Sequence, residues 1–93
     1  MSFELFVGGR PKGQVASISG MAKLTGEIKA GTNSEEISAF LLRGWSDDPK
    51  KLRGEIGALV LDSSNGLSGE SRSVLRAIME RLPDSGTVSV SCE

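Results

Sequence analysis

The chain opens on an alternation. Phe3, Leu5 and Val7 share one parity, which predicts a first strand over 3–7 with one apolar face. Gly8-Gly9-Arg10-Pro11-Lys12-Gly13 then breaks it with turn-forming residues. Val15 to Ser19 reads as a weaker second strand. From 21 to 30 the alternation is strict: Ala22, Leu24, Gly26, Ile28 and Ala30 fall on one side, Met21, Lys23, Thr25, Glu27 and Lys29 on the other. That is the period of a half-buried third strand. A helix over 15–28 competes, because Val15, Ile18, Met21, Ala22 and Leu24 also fit a 3.6 period; Gly20 and Gly26 count against it.

The period changes after Gly31-Thr32-Asn33-Ser34. Asn33 with Glu36 has capping-box spacing, Ile37, Phe40 and Leu41 form a helical stripe, and Gly44 is a natural stop. Pro49 suits the first position of a further helical turn over 48–53. Ile56 to Leu61 is a continuous apolar run, the pattern of a strand buried on both faces. Asp62 to Gly69 is polar. Ser68 then caps a helix burying Val74, Leu75, Ile78, Met79 and Leu82, which Pro83 ends, and Thr87 to Ser91 alternates as a last strand. The expected fold is α/β, in the order β-β-β-α-β-α-β, with helices packed on a mixed, largely parallel sheet joined by crossovers.

Composition narrows the chemistry. Ninety-three residues permit one small domain, 1–93. No apolar run is long enough for a membrane span, and no signal peptide opens the chain. The formal net charge is −1, from 11 basic and 12 acidic residues spread along the chain, so no basic patch suits nucleic acid. There is no His, which removes Ser-His-Asp and Cys-His catalysis and histidine metal ligands. One Cys, Cys92, allows no internal disulfide; it reads as a buried or partly buried structural thiol in a cytoplasmic protein. No enzyme activity, cofactor or metal is expected. The glycine spacing of Gly8 to Gln14 fails as a phosphate loop, because Gln14 stands where the Lys must be. Glu35-Glu36 and Asp47-Asp48 read as capping or dipole residues. Trp45, out of register with the helix stripe before it, either covers the core edge or anchors a partner.

The chemically suggestive segment is Asp62-Ser63-Ser64-Asn65-Gly66-Leu67-Ser68, a polar loop leading into a helix. A helix N-terminus favours an anion, and the serines and Asn65 add donors, whereas the Asp62 carboxylate opposes one. The alternative is an ordinary connection, with Asn65-Gly66 as a tight turn and Ser68 as the cap.

Lys23-Leu24-Thr25-Gly26-Glu27-Ile28, followed by a capped helix and then by Asp62-Ser63-Ser64-Asn65-Gly66-Leu67, resembles the STAS domains of anti-sigma-factor antagonists. Their third strand carries Ser/Thr-Gly-Glu, and their Asp-Ser-Ser-Gly-Leu loop is phosphorylated by a partner kinase. The resemblance implies a protein-binding regulatory switch at Ser63 or Ser64, with Asp62, Asn65, Gly66 and Ser68 around it and Arg72 and Arg76 as partner contacts on the exposed helix face. The same loop also resembles the Asn-Ser-Pro-Gly-Gly-Ser segment of the Clp-protease and signal-peptide-peptidase superfamily, which would make the chain a catalytically incomplete half-domain. A third class is a small immunity or phage-type inhibitor that blocks a partner protein. In each reading the partner is another protein, not nucleic acid or a membrane. Thr87 to Ser91, expected at a sheet edge without Lys or Pro, adds the expectation of a homo-oligomer through that strand.

Overall fold

A computed structural model describes residues 2–31, 34–62 and 64–92. It has eight elements: β1 (Ser2–Val7), β2 (Arg10–Ser17), α1 (Ile18–Gly31), α2 (Glu35–Arg43), β3 (Trp45–Ser46), α3 (Pro49–Leu61), α4 (Gly69–Arg81) and β4 (Val88–Cys92). The four strands make one sheet in the order β2-β1-β4-β3, and each neighbouring pair is antiparallel. The expected largely parallel sheet of order β-β-β-α-β-α-β is therefore wrong. Among the described residues no helix is long and apolar enough to cross a membrane.

The terminal strands follow their pattern. Leu5 lies opposite Val90, Val7 opposite Val88 and Phe3 opposite Cys92, so these residues share the face that carries the buried Leu5 and Val88. Phe6, Ser89 and Trp45 stand in register on the other face. An antiparallel sheet tolerates one such face without a helical cover. The turn between β1 and β2 is only Gly8-Gly9, both at positive φ (57° and 82°), the geometry of a two-residue hairpin that glycine adopts without a steric penalty. The strand resumes at Arg10, with Pro11 tolerated because β2 is an edge strand. Trp45 is 41% exposed in β3 and stands outside the core, so it does not cover the core edge. Cys92 is exposed, contrary to the expected structural thiol. β4 lies between β1 and β3, so Thr87 to Ser91 is not the edge it was expected to be.

The middle of the chain is helical where strands were expected. In α1 the buried side chains are Met21, Leu24 and Ile28, at i, i+3 and i+7. The alternating set over 22–30 contained three small residues, Ala22, Gly26 and Ala30, which gain little from burial and lie exposed. Leu24 and Ile28 satisfy both periods; Met21 satisfies only the helix. Gly20 fits because it lies against both the end of β2 and α4: a Cβ there would come within 3.1 Å of Ser17 Oγ and 3.3 Å of Glu70 Oε1. The apolar run 56–61 continues α3, which starts at Pro49 behind the Asp48 cap. Leu52 and Ile56 are buried, Leu59 and Val60 half-buried, and Leu61 is 87% exposed. A strand buried on both faces would have enclosed every member of that run.

Helix ends are closed by charged side chains from neighbouring elements. Ser34 makes no side-chain cap at α2; Glu55 of α3 instead accepts from the Glu36 and Ile37 N–H groups at 3.0 and 3.1 Å. The expected cap Asn33 lies outside the described residues. Gly44 ends α2 at φ 86°, as expected. Arg53 of α3 donates to the Leu82 and Pro83 carbonyls beyond the end of α4 and pairs with Asp84. The Glu55 bonds satisfy N–H groups that α2 itself leaves open, and the Arg53 bonds fix the chain where it leaves α4. Among the described residues, no buried side-chain nitrogen or oxygen lacks a hydrogen-bond partner.

Candidate functional site

The loop after α3 is built from its own polar groups. Asp62 Oδ1 accepts from the Ser64 backbone N–H at 2.8 Å and from its hydroxyl at 2.6 Å, closing an Asx turn. These two bonds, the hydroxyl's first, hold the Asp62 carboxyl below the usual range. Asn65 donates through Nδ2 to the Leu59 carbonyl and accepts at Oδ1 from the Leu67 N–H. Gly66 takes φ 77°, the left-handed conformation that favours glycine. Ser63 lies outside the described residues.

Arg72, expected as a partner contact, is turned inward onto this loop. Its guanidinium donates to the carbonyls of Leu59, Val60 and Asp62 at 3.1, 2.9 and 2.8 Å and to Asn65 Oδ1 at 2.7 Å. It closes the C-terminal end of α3, where the macrodipole is negative. Arg76 is exposed one helical turn further on.

The anion position at the start of α4 is filled from within the chain. Ser68 Oγ accepts from the Ser71 N–H, the expected cap. The Ser68 N–H donates at 2.9 Å to Glu27 of α1. That backbone bond, followed by the Ser71 hydroxyl, holds the Glu27 carboxyl below its ordinary value. An external phosphate would have to displace this carboxylate. The structure thus brings Asp62, Ser64, Asn65, Gly66, Ser68 and Arg72 together, but as a helix connection bonded to itself.

The other feature is apolar and open. Residues of α1 and α2 line a groove with a cavity volume of about 580 Å³. One wall is the α1 stripe Ile18, Met21, Ala22, Thr25, Gly26 and Lys29; the facing wall is Leu41, Leu42 and Arg43; Phe3, Gly44 and Val90 form the floor. A smaller cavity of about 210 Å³ continues it between Ile28, Lys29, Ser38 and Leu41. Leu42 is 81% exposed and Ile18 46%, so large apolar side chains meet solvent on both walls. Thr25 directs its hydroxyl to the Met21 carbonyl at 2.9 Å and leaves the wall apolar. Arg43 stands at the groove's end with its guanidinium 4.4 Å from the centre of the Trp45 ring.

Sequence reasoning missed the groove because it read α1 as a strand. One signal was present: Leu42 is apolar although the stripe of Ile37, Phe40 and Leu41 already supplies the buried face of α2. Among the described residues, no three carboxylates or thiols converge where a metal ion could be held. Lys23 to Ile28, the segment that carried the STAS resemblance, lies inside α1, and the residues before Asp62 are helix in place of the strand both resemblances require. No protein-family model matches this chain, and no curated protein or solved structure is significantly similar to it.

Proposed function

We propose that the protein is a non-catalytic, protein-binding regulatory module that takes its partner in the groove between α1 and α2. The observation that carries this reading is the pair of exposed walls, Ile18 on α1 and Leu42 on α2, facing one apolar cavity. Exposed apolar surface gathered in a concave site marks binding, whereas single exposed apolar residues do not. Leu61 is the counter-example: it is more exposed than Leu42 but lines neither cavity. The test compares wild type with Leu42→Glu in pull-downs from native extract. Stability should change by no more than about 0.5 kcal/mol, because the side chain is mostly in water. Partner recovery should fall about tenfold, equivalent to roughly 1.4 kcal/mol. Equal recovery by a folded variant contradicts the reading.

A second reading rests on the exposed Ser64 hydroxyl. Its bond to Asp62 is accessible to a modifying enzyme. Phosphorylation there would add close to two negative charges beside Asp62 and open the Asx turn. A Ser64→Asp variant that loses its partner while keeping its melting temperature would favour this switch over the groove.

A further inference from the structure

We infer that the groove's occupant is an amphipathic helix of a partner protein whose flanks are acidic; the inference rests on the groove being the binding surface. The groove's charge is of one sign. The ionisable side chains among the lining residues are Lys29 and Arg43, both cations. Lys29 stands where α1 finishes and borders the smaller cavity as well; Arg43 stands where α2 finishes, beside Gly44, Phe3 and Val90. A basic group at each end of an apolar trough matches an apolar ridge flanked by carboxylates.

The groove's shape suits a helix. The α1 wall is a stripe at i, i+3, i+4, i+7, i+8 and i+11 from Ile18 to Lys29. It runs for about 16 Å at roughly 1.5 Å per residue, which is three turns of a docked helix. Ala22 and Gly26 sit in its middle, and the space a Gly26 Cβ would enter is empty, so a partner backbone can approach closely there. Anchors at i, i+3/i+4 and i+7 are the way a helix fills such a trough.

A second copy of this chain fits less well. Pairing groove to groove would set the Lys29 and Arg43 of one copy against those of the other. Outside the groove's apolar walls, the large exposed apolar side chains among the described residues are Trp45 and Leu61, which form no ridge.

The experiment titrates the whole protein with synthetic helical peptides of about 14 residues, long enough to cover three turns. The peptides share one Leu stripe and carry Glu, Gln or Lys on the flanks. The single Trp, Trp45, stacked under Arg43 at the groove's end, reports binding by fluorescence, with anisotropy of labelled peptide as a second readout. The Glu-flanked peptide should bind about tenfold more tightly than the Gln-flanked one, a gap of roughly 1.4 kcal/mol. The gap should shrink with added salt and vanish in Lys29→Gln with Arg43→Gln. Binding itself should be lost in Leu42→Glu. Equal affinity for all three peptides, or no binding of any, overturns the inference. So does Leu42-dependent self-association in sedimentation, or Leu42-dependent binding to phosphatidylglycerol vesicles in place of the peptides. These failures are distinct from failure of the binding surface itself. If extract pull-downs still depend on Leu42, the groove stands and only the acidic helix falls; if they do not, both fall.

Discussion

The loop from Asp62 to Ser68 and the groove between α1 and α2 are opposites. The loop looks functional in one dimension, because serines, Asn, Gly and Asp stand together ahead of a helix. In three dimensions most of those groups are bonded to the chain's own backbone: Asp62 to Ser64, Asn65 to Leu59 and Leu67, Arg72 to three carbonyls. The groove leaves only the surplus apolar Leu42 as a trace in one dimension, yet it presents large apolar side chains to water. The dense polar segment thus bonds largely within the chain, and the large exposed apolar side chains Ile18 and Leu42 line the groove. A polar group can find its partner within the fold, whereas an exposed Leu wall is relieved only by something that covers it.

If the loop is structural, its largest mutational effect should be on stability. Arg72→Ala takes the guanidinium donor from the Val60 and Asp62 carbonyls and one of two donors from the Leu59 carbonyl and from Asn65 Oδ1, and is expected to cost about 2–3 kcal/mol, read as a lowered midpoint in denaturant. Arg72→Lys should recover little, because an ammonium cannot reproduce the forked set of bonds. A folded Arg72→Ala with unchanged midpoint and lost binding would return Arg72 to the role of a partner contact.

The groove predicts the reverse signature, with Leu42→Glu silent in the melt and costly in binding. The smaller effects lie in α1. Gly26→Ala faces open space inside the helix and should stabilise by about 0.5–1 kcal/mol. Gly20→Ala should lose that gain, because its Cβ would press on the Ser17 hydroxyl that accepts from the Gly20 N–H at 3.0 Å. Equal gains at both glycines would mean that the Ser17 hydroxyl and the Glu70 carboxylate give way to the new Cβ.

The smallest effect is on pH dependence. Glu27 and Asp62 both have lowered carboxyl pKa values, set mainly by the Ser68 N–H and the Ser64 hydroxyl respectively. A depressed folded value stabilises above the ordinary carboxylate range, and that stability is lost as pH falls through the lowered value. Glu27→Gln should therefore lower stability slightly at neutral pH and flatten the acid limb, because a neutral amide carries neither the carboxylate's gain nor its loss. An unaltered acid limb would mean that another group carries it.

The parts of the fold that one period describes were legible in the sequence. Phe3 to Val7, the helix after Ser68 and the alternation from Thr87 each bury one face at one spacing, and Gly44 and Pro49 mark helix ends by backbone constraint alone. The middle was not, because its residues satisfy two periods at once. Leu24 and Ile28 are apart by four, which is the same face of a helix and of a strand. Ile56 to Leu61 is apolar throughout, and only packing decides that Leu61 faces water. The sheet's direction followed from those misread elements. The candidate sites divide in the same way: the Asp62–Ser68 cluster is local in sequence and could be seen there, whereas the groove joins Ile18 to Leu42 and requires α1 to be a helix.

The contrast between the two regions is tested most directly by site-specific photocrosslinking in native extract. A photoreactive side chain is placed at position 42 in one protein and at position 64 in another, both checked by thermal melts. A discrete protein adduct is expected from position 42, competed by excess wild type but not by excess Leu42→Glu, with no such adduct from position 64. An adduct from position 64 with none from position 42 would contradict that contrast.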